Sequence, residues 1–196
     1  MLSPDEIRAR LARVQAVVGE RVTVVAATKY VSLPEMALLV EAGVEVVGEN
    51  RAQDLEDKHA EYGDAFRWHF IGHLQSNKVK VLNRICELVH SLDSHTAAQR
   101  LEVPALVQVN LAGEGSKSGI APDELAGYLA YDVRGLSTMP PAAGSPEASR
   151  EWFARLRGLA AEHGLRELSM GTSQDFAVGA EEGATYVRVG SILFRD

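Results

Sequence analysis

A single cysteine, Cys86, leaves this 196-residue chain without the means for an internal disulfide, so a small stapled scaffold is excluded. Long hydrophobic runs are missing too. No apolar stretch approaches the ~20 residues that cross a bilayer, and the opening Met1-Leu2-Ser3-Pro4-Asp5-Glu6 has neither the basic region nor the apolar core of a signal peptide. Together these point to a cytoplasmic address and away from a membrane partner. Positive charge is in deficit. With 20 Lys and Arg against 27 Asp and Glu, the net charge of -7 gives no footprint for a phosphate backbone, which argues against nucleic acid as a partner. Only 7 prolines and 17 glycines are present, too few for a low-complexity or fibrous chain. What remains, 46% hydrophobic and 24% charged, is the composition of one globular domain of residues 1–196, long enough for a continuous core and short for two.

The hydrophobic pattern is organised as repeats of one unit. Ile7, Leu11, Val14, Val17 and Val18 recur at helical spacing between an N-capping Ser3 and a terminating Gly19, which predicts a leading amphipathic helix. Val22 to Thr28 is short, apolar and rich in β-branched residues, as a buried strand is, and a Ser32-capped helix around Pro34 to Glu41 follows it. The alternation continues with strands at Val44 to Gly48, Arg67 to Gly72, Leu88 to Asp93, Ala105 to Asn110, Val133 to Thr138, Leu168 to Gly171 and Thr185 to Gly190. Helices are expected from about Asn50, from Gln75, as a stub near Thr96 to Leu101, and over Asp123 to Ala130, Pro146 to Glu162 and Asp175 to Glu182. Eight buried-type strands separated by seven helices predict a parallel sheet closed as a (β/α)8 barrel, with an open doubly wound sheet as the alternative. The connections at Ser94 to Val103 and Tyr131-Asp132 are unusually tight for such a barrel.

A parallel barrel gathers its chemistry at the carboxyl ends of its strands. There the sequence places Lys29, Glu49-Asn50, His73, Asp93, Asn110, Met139, Thr172-Ser173 and Ser191. Lys29 directly follows an apolar strand, where burial would disfavour the ammonium and make the amine a nucleophile towards aldehydes; the plainer alternative is a lysine that snorkels from the rim into water. Gly171-Thr172-Ser173 and Gly190-Ser191 end the last two strands, and glycine turns followed by hydroxyls form either an anion cradle or two tight turns. Arg188, flanked by valines in the last strand, cannot shed its charge and needs an acceptor, either a carboxylate or a ligand atom.

Three other signals are set aside. Gly113-Glu-Gly-Ser-Lys-Ser-Gly119 lacks the glycine directly before lysine that a nucleotide-triphosphate loop requires. His69 and His73 are separated by a strand break and have no completing carboxylate, so no metal site is expected. Cys86 reads as a small buried side chain.

In order along the chain, Ala27-Thr28-Lys29, Gly48-Glu49-Asn50, Trp68-His-Phe-Ile-Gly-His-Leu-Gln-Ser-Asn-Lys78, Val109-Asn110 with Ser116-Lys117-Ser118-Gly119, Gly135-Leu136 with Met139-Pro140, Leu168-Ser-Met-Gly171 with Ser173, and Val187-Arg-Val-Gly190 resemble the pyridoxal phosphate homeostasis protein family. That family looks like the isolated barrel domain of bacterial alanine racemase, and the resemblance runs from about Val22 to Phe194. It implies that Lys29 carries pyridoxal 5'-phosphate as a Schiff base, that Ser173, Gly190 and Ser191 hold the phosphate, that Arg188 faces the pyridine nitrogen and that Asn50 lies near the ring's polar edge. The implied role is a monomeric carrier that keeps vitamin B6 in supply and serves apo forms of pyridoxal-phosphate enzymes. The rivals are a pyridoxal-dependent amino-acid racemase and a cofactor-free Schiff-base aldolase. Two features disfavour the racemase. The chain ends at Asp196, so the tyrosine that alanine racemases bring from a second domain is not expected, and an arginine gives the ring nitrogen no proton. The sequence departs from the family at Thr172-Ser173-Gln174-Asp175, usually Met-Ser-Asp-Asp, at Ser191, usually Thr, and at Phe194-Arg195, where Gly often follows the Phe. Both hydroxyls are kept.

Overall fold

The computed structural model describes residues 2–115, 118–142 and 144–195. Eight parallel strands close into a barrel in chain order, with β1 (Thr23–Ala27) next to β2 (Val46–Glu49), β3 (Arg67–Phe70), β4 (Leu88–Leu92), β5 (Ala105–Gln108), β6 (Val133–Ser137), β7 (Glu167–Thr172) and β8 (Tyr186–Val189), which returns to β1. The closing register sets Thr23 beside Tyr186 and Val25 beside Arg188. Closure leaves no free sheet edge, and the strands read as near-continuous apolar runs because helices cover the outside and side chains fill the inside. The open-sheet alternative is thereby excluded.

The leading helix α1 (Pro4–Val18) begins at a capping box in which Ser3 and Glu6 satisfy each other's backbone N–H, and it stops at Gly19 with φ 82°. Its buried Ile7, Val14 and Val18 pack it onto α2 (Met36–Ala42), and Arg10 reaches the carbonyls of Ile192 and Arg195, tying the two ends of the chain together. The outer ring continues with α3 (Ala52–Tyr62), α4 (Val79–Ile85), α5 (His95–Ala98), α6 (Arg150–Glu162), α7 (Phe176–Glu181) and α8 (Ser191–Phe194).

Four local expectations are corrected. Ser32 does not cap α2: it bonds the Glu35 carboxylate across a 3-10 turn, and regular helix starts only at Met36. The stub between β4 and β5 is capped by Ser94 and spans four residues, His95–Ala98, ending before Leu101. The expected helix at 123–130 is a 3-10 segment, Pro122–Tyr128, so both tight connections close through shortened elements. One turn of helix, α8, follows β8 where none was expected.

The barrel interior is partly polar. His69 Nδ1 and His90 Nε2 lie 2.9 Å apart, His90 Nδ1 is 2.7 Å from Ser169 Oγ, and the Tyr186 ring packs edge-on against both imidazoles. Burial holds His69 down at about 4 and His90 well below the ordinary histidine range, so both rings are neutral at pH 7. His69 therefore has a packing and hydrogen-bonding role inside the barrel, while His73 is exposed at the mouth.

Candidate functional site

The carboxyl ends of β1, β2, β7 and β8 surround a cleft of about 570 Å³. All six residues singled out from the sequence, Lys29, Asn50, Ser173, Arg188, Gly190 and Ser191, line it, with Ala27, Ile71 and Met139 as apolar wall. Two glycines make this convergence possible. A Cβ at Gly72 would lie 2.0 Å from the Asn50 carbonyl oxygen, so only glycine lets the loop after β3 pass the one bearing Asn50. Gly171, at φ 96°, sits where the β7–β8 register shifts, and a Cβ there would lie 2.9 Å from the Phe176 Cα.

Arg188 is the buried charge of the site. It is 7% exposed, and its Nη2 donates to the Thr138 carbonyl at 2.8 Å and approaches Met139 Sδ at 3.1 Å. Among the described residues its Nε finds no partner. Burial pushes the guanidinium down to about 10, and the charge of Asp175 opposes this only in part. The acceptor is neither of the two kinds expected: a backbone carbonyl takes one N–H, and among the described residues no carboxylate forms an ion pair with the group.

At the β7 and β8 ends Ser173 Oγ accepts from the Gly190 N–H at 3.0 Å and from the Ile192 N–H at 3.5 Å. Gly190 was expected to offer its amide to an anion, but that amide is taken by the serine oxygen. The hydroxyl hydrogen of Ser173 is left to donate outward. Among the described residues the amides of Ser173, Gln174 and Ser191 find no acceptor. Asp175 keeps the turn in shape, since its carboxylate accepts from the Thr172 N–H at 2.7 Å, the Thr172 hydroxyl at 2.9 Å and the Ser149 hydroxyl at 2.6 Å.

Lys29 matches the plainer of its two readings, a lysine at the rim. The side chain is exposed, and its Nζ lies 5.0 Å over the Tyr30 ring. Arg195 covers the same ring at 4.6 Å. The buried lysine is Lys58 of α3, 6% exposed, which donates to the Thr28 carbonyl at 2.9 Å and pairs with the fully buried Glu49. Sequence reading missed it, although a carboxylate closing the apolar strand Val46–Glu49 was the signal that a buried cation must lie nearby.

His73, Asp93, Ser118 and Asn110 collect at the opposite side of the mouth. His73 Nδ1 is 3.9 Å from Asp93 Oδ2, whose carboxyl is pushed up by burial. Ser116 and Lys117 of the glycine loop lie outside the described residues. Cys86 is buried at the end of α4, and burial pushes its thiol up to about 12. Among the described residues no helix is long and apolar enough to cross a membrane.

The family described as alanine racemase, N-terminal domain, matches residues 2–196. A pyridoxal phosphate homeostasis protein of Aquifex aeolicus is 41% identical over 175 residues, 78% of this chain and 77% of its own length. Another, from Deinococcus radiodurans, is 40% identical over 188 residues, 88% of each chain. Among solved structures, PipY of Synechococcus elongatus with pyridoxal phosphate (PLP) bound superposes with a TM-score of 0.86 at 32% identity, over 96% of this chain and 99% of that one. A lysine/ornithine decarboxylase of Vibrio vulnificus, at 15% identity and a TM-score of 0.74 over 98% of this chain and 62% of its own, shares the fold.

Proposed function

The chain belongs to the pyridoxal phosphate homeostasis proteins, within the alanine racemase N-terminal domain family, and on that premise we propose that it binds pyridoxal 5'-phosphate through Lys29 and acts as a carrier in vitamin B6 supply. The observation that carries the reading is the buried guanidinium of Arg188, a residue of the cleft lining whose Nε finds no partner among the described residues. An unpaired buried donor is costly, and a ring nitrogen in the cleft would satisfy it. The remaining residues fit the same group. Ser173 and the free amides of Ser173, Gln174 and Ser191 would hold the phosphate, Asn50 the polar edge of the ring, and Gly190 would act through the serine it orients. When bound, pyridoxal phosphate supplies an aldehyde that condenses reversibly with a primary amine and releases water. Lys29 is the lysine that lines the cleft.

A carrier suits these residues better than an enzyme. The relatives are named for homeostasis and not for a reaction. Arg188 donates a hydrogen bond but no proton, which leaves the ring a weaker electron sink than a carboxylate partner would. Supply of the ligand to apo forms of pyridoxal-phosphate enzymes completes the proposal. The test is borohydride reduction of the protein mixed with pyridoxal 5'-phosphate, peptide mass spectrometry, and a transfer assay to a ligand-free enzyme. The expected result is one adduct on Lys29 and recovery of the acceptor enzyme's activity. An adduct on Lys58 or Lys78 instead, or no transfer, overturns the reading.

A further inference from the structure

One hydrogen bond joins Lys58 to Glu49 and three more tie the pair to its surroundings, all at the carboxyl ends of β1 and β2. Lys58 Nζ donates to the Thr28 carbonyl and to Glu49, the Thr28 hydroxyl donates to Glu49 Oε1 at 2.7 Å, and the Asn50 N–H donates to Glu49 Oε2 at 3.2 Å. The Thr28 carbonyl belongs to the peptide that carries Lys29, and Glu49 immediately precedes Asn50. Lys58 itself comes from α3, so the pair joins three separate segments behind the cleft.

We infer that Lys58 is a positioning residue: its ammonium, neutralised by Glu49, fixes the two strand ends from which Lys29 and Asn50 enter the cleft. The inference rests on the proposed role of Lys29. Stability alone is a poor reason for this arrangement, because burying two charges costs about as much as their attraction returns, and an apolar pair of similar volume packs as well or better. What an apolar pair cannot do is hold a carbonyl and an amide in fixed directions. That matters here because Lys29 is exposed and rests on the Tyr30 ring at the rim, outside the core that would otherwise place it.

The test uses the full chain with Glu49→Gln/Lys58→Met, which removes both charges at once and leaves neither stranded. In ligand-free protein, hydrogen exchange at 28–31 and 49–51 is expected to quicken about tenfold or more while the other strands keep their protection. With limiting pyridoxal 5'-phosphate, borohydride-trapped Lys29 falls about tenfold, whereas affinity for pyridoxamine 5'-phosphate, which cannot link to a lysine but still meets Asn50, falls by a smaller factor of about threefold. Lys58→Arg serves as the second variant should the double one not fold. Its planar fork does not reproduce the ammonium's placement, so the same local pattern is expected in weaker form. Faster exchange throughout the barrel, unchanged exchange at the two strand ends, or undiminished trapping overturns the inference. A wild-type protein that forms no Lys29 adduct overturns the carrier reading instead, and the ligand-free exchange pattern still decides whether Lys58 anchors these ends.

Discussion

Acidification from pH 7 to pH 5 is expected to cost this barrel stability through its two interior histidines, above the range where the carboxyls lowered by hydrogen bonding titrate. His69 ionises at about 4 in the folded chain against 6.5 for an ordinary histidine. Between those values the unfolded chain binds the proton that the folded chain refuses, so stability falls as pH falls through 6.5 and is fully present only above it. At pH 5 the gap is about 1.5 pH units, and at ~1.36 kcal/mol per unit His69 alone removes about 2 kcal/mol. His90, also depressed and hydrogen-bonded to His69, adds to the loss, since two protonated imidazoles would be two donors facing each other across 2.9 Å. Carboxyls lowered by hydrogen bonding, such as Glu6 and Glu87, lose their contribution only below their own range and leave this window clear. Urea unfolding at the two pH values measures the difference. In His69→Gln, whose amide can bond His90 but does not titrate, the pH-dependent loss should shrink by about 2 kcal/mol. A wild-type loss under about 0.5 kcal/mol, or an equal loss in the variant, refutes the reasoning.

Lys29→Ala should abolish the borohydride-trapped adduct while leaving the melting temperature unchanged, because the side chain is exposed; an adduct of undiminished yield would sink the assignment. Ser173→Ala removes both a donor and the oxygen that orients Gly190 and Ile192, and is expected to weaken pyridoxal 5'-phosphate by about 1.5–3 kcal/mol, read by equilibrium dialysis against pyridoxal lacking the phosphate, whose binding should change little. Arg188→Met should lower affinity yet hold or raise the thermal midpoint, since it removes a buried charge with no carboxylate partner; a large destabilisation would mean that the bond to Thr138 outweighs desolvation. Racemisation of alanine by wild type should stay far below about 1 per second, and a rate above that, lost in Lys29→Ala, would favour an enzyme.

Eight apolar, β-branched segments separated by helical periodicity made the barrel legible, because period and length alone distinguish its two element types. Ser32 misled because a serine with a glutamate three residues on closes an isolated turn as readily as a helix start. The cleft was legible where residue type and strand end coincide, as at Arg188, Ser173 and Ser191. Of the two readings open for Lys29 the exposed one holds, because the residue after a buried strand is the first one free to leave the core. Lys58 stayed hidden because it sits on a polar helix, Ala52–Tyr62, where a lysine looks like ordinary solvated surface until the helix is docked on β2. The His69–His90 contact was hidden for a similar reason, since it depends on side chains from neighbouring strands meeting across the barrel interior.

These environments divide the work of the cleft unequally, and the division favours exchange over retention. The buried cation, Arg188 of β8, reaches the Thr138 carbonyl beyond the end of β6, where desolvation strengthens any hydrogen bond it makes to a ligand. The amine lies at the rim beside Tyr30, itself 69% exposed, where water and an incoming amine can both reach it. An enzyme that stabilises charge on a ring-bound intermediate needs the reverse: a reactive end closed off from water and a proton supplied at the ring nitrogen. On the carrier reading a deep anchor selects the ligand, and an accessible link lets an acceptor's amine compete for it. Sealing the amine inside would slow release without improving recognition, so the exposure of Lys29, which runs against its activation by burial, is what a protein that must give its ligand away requires.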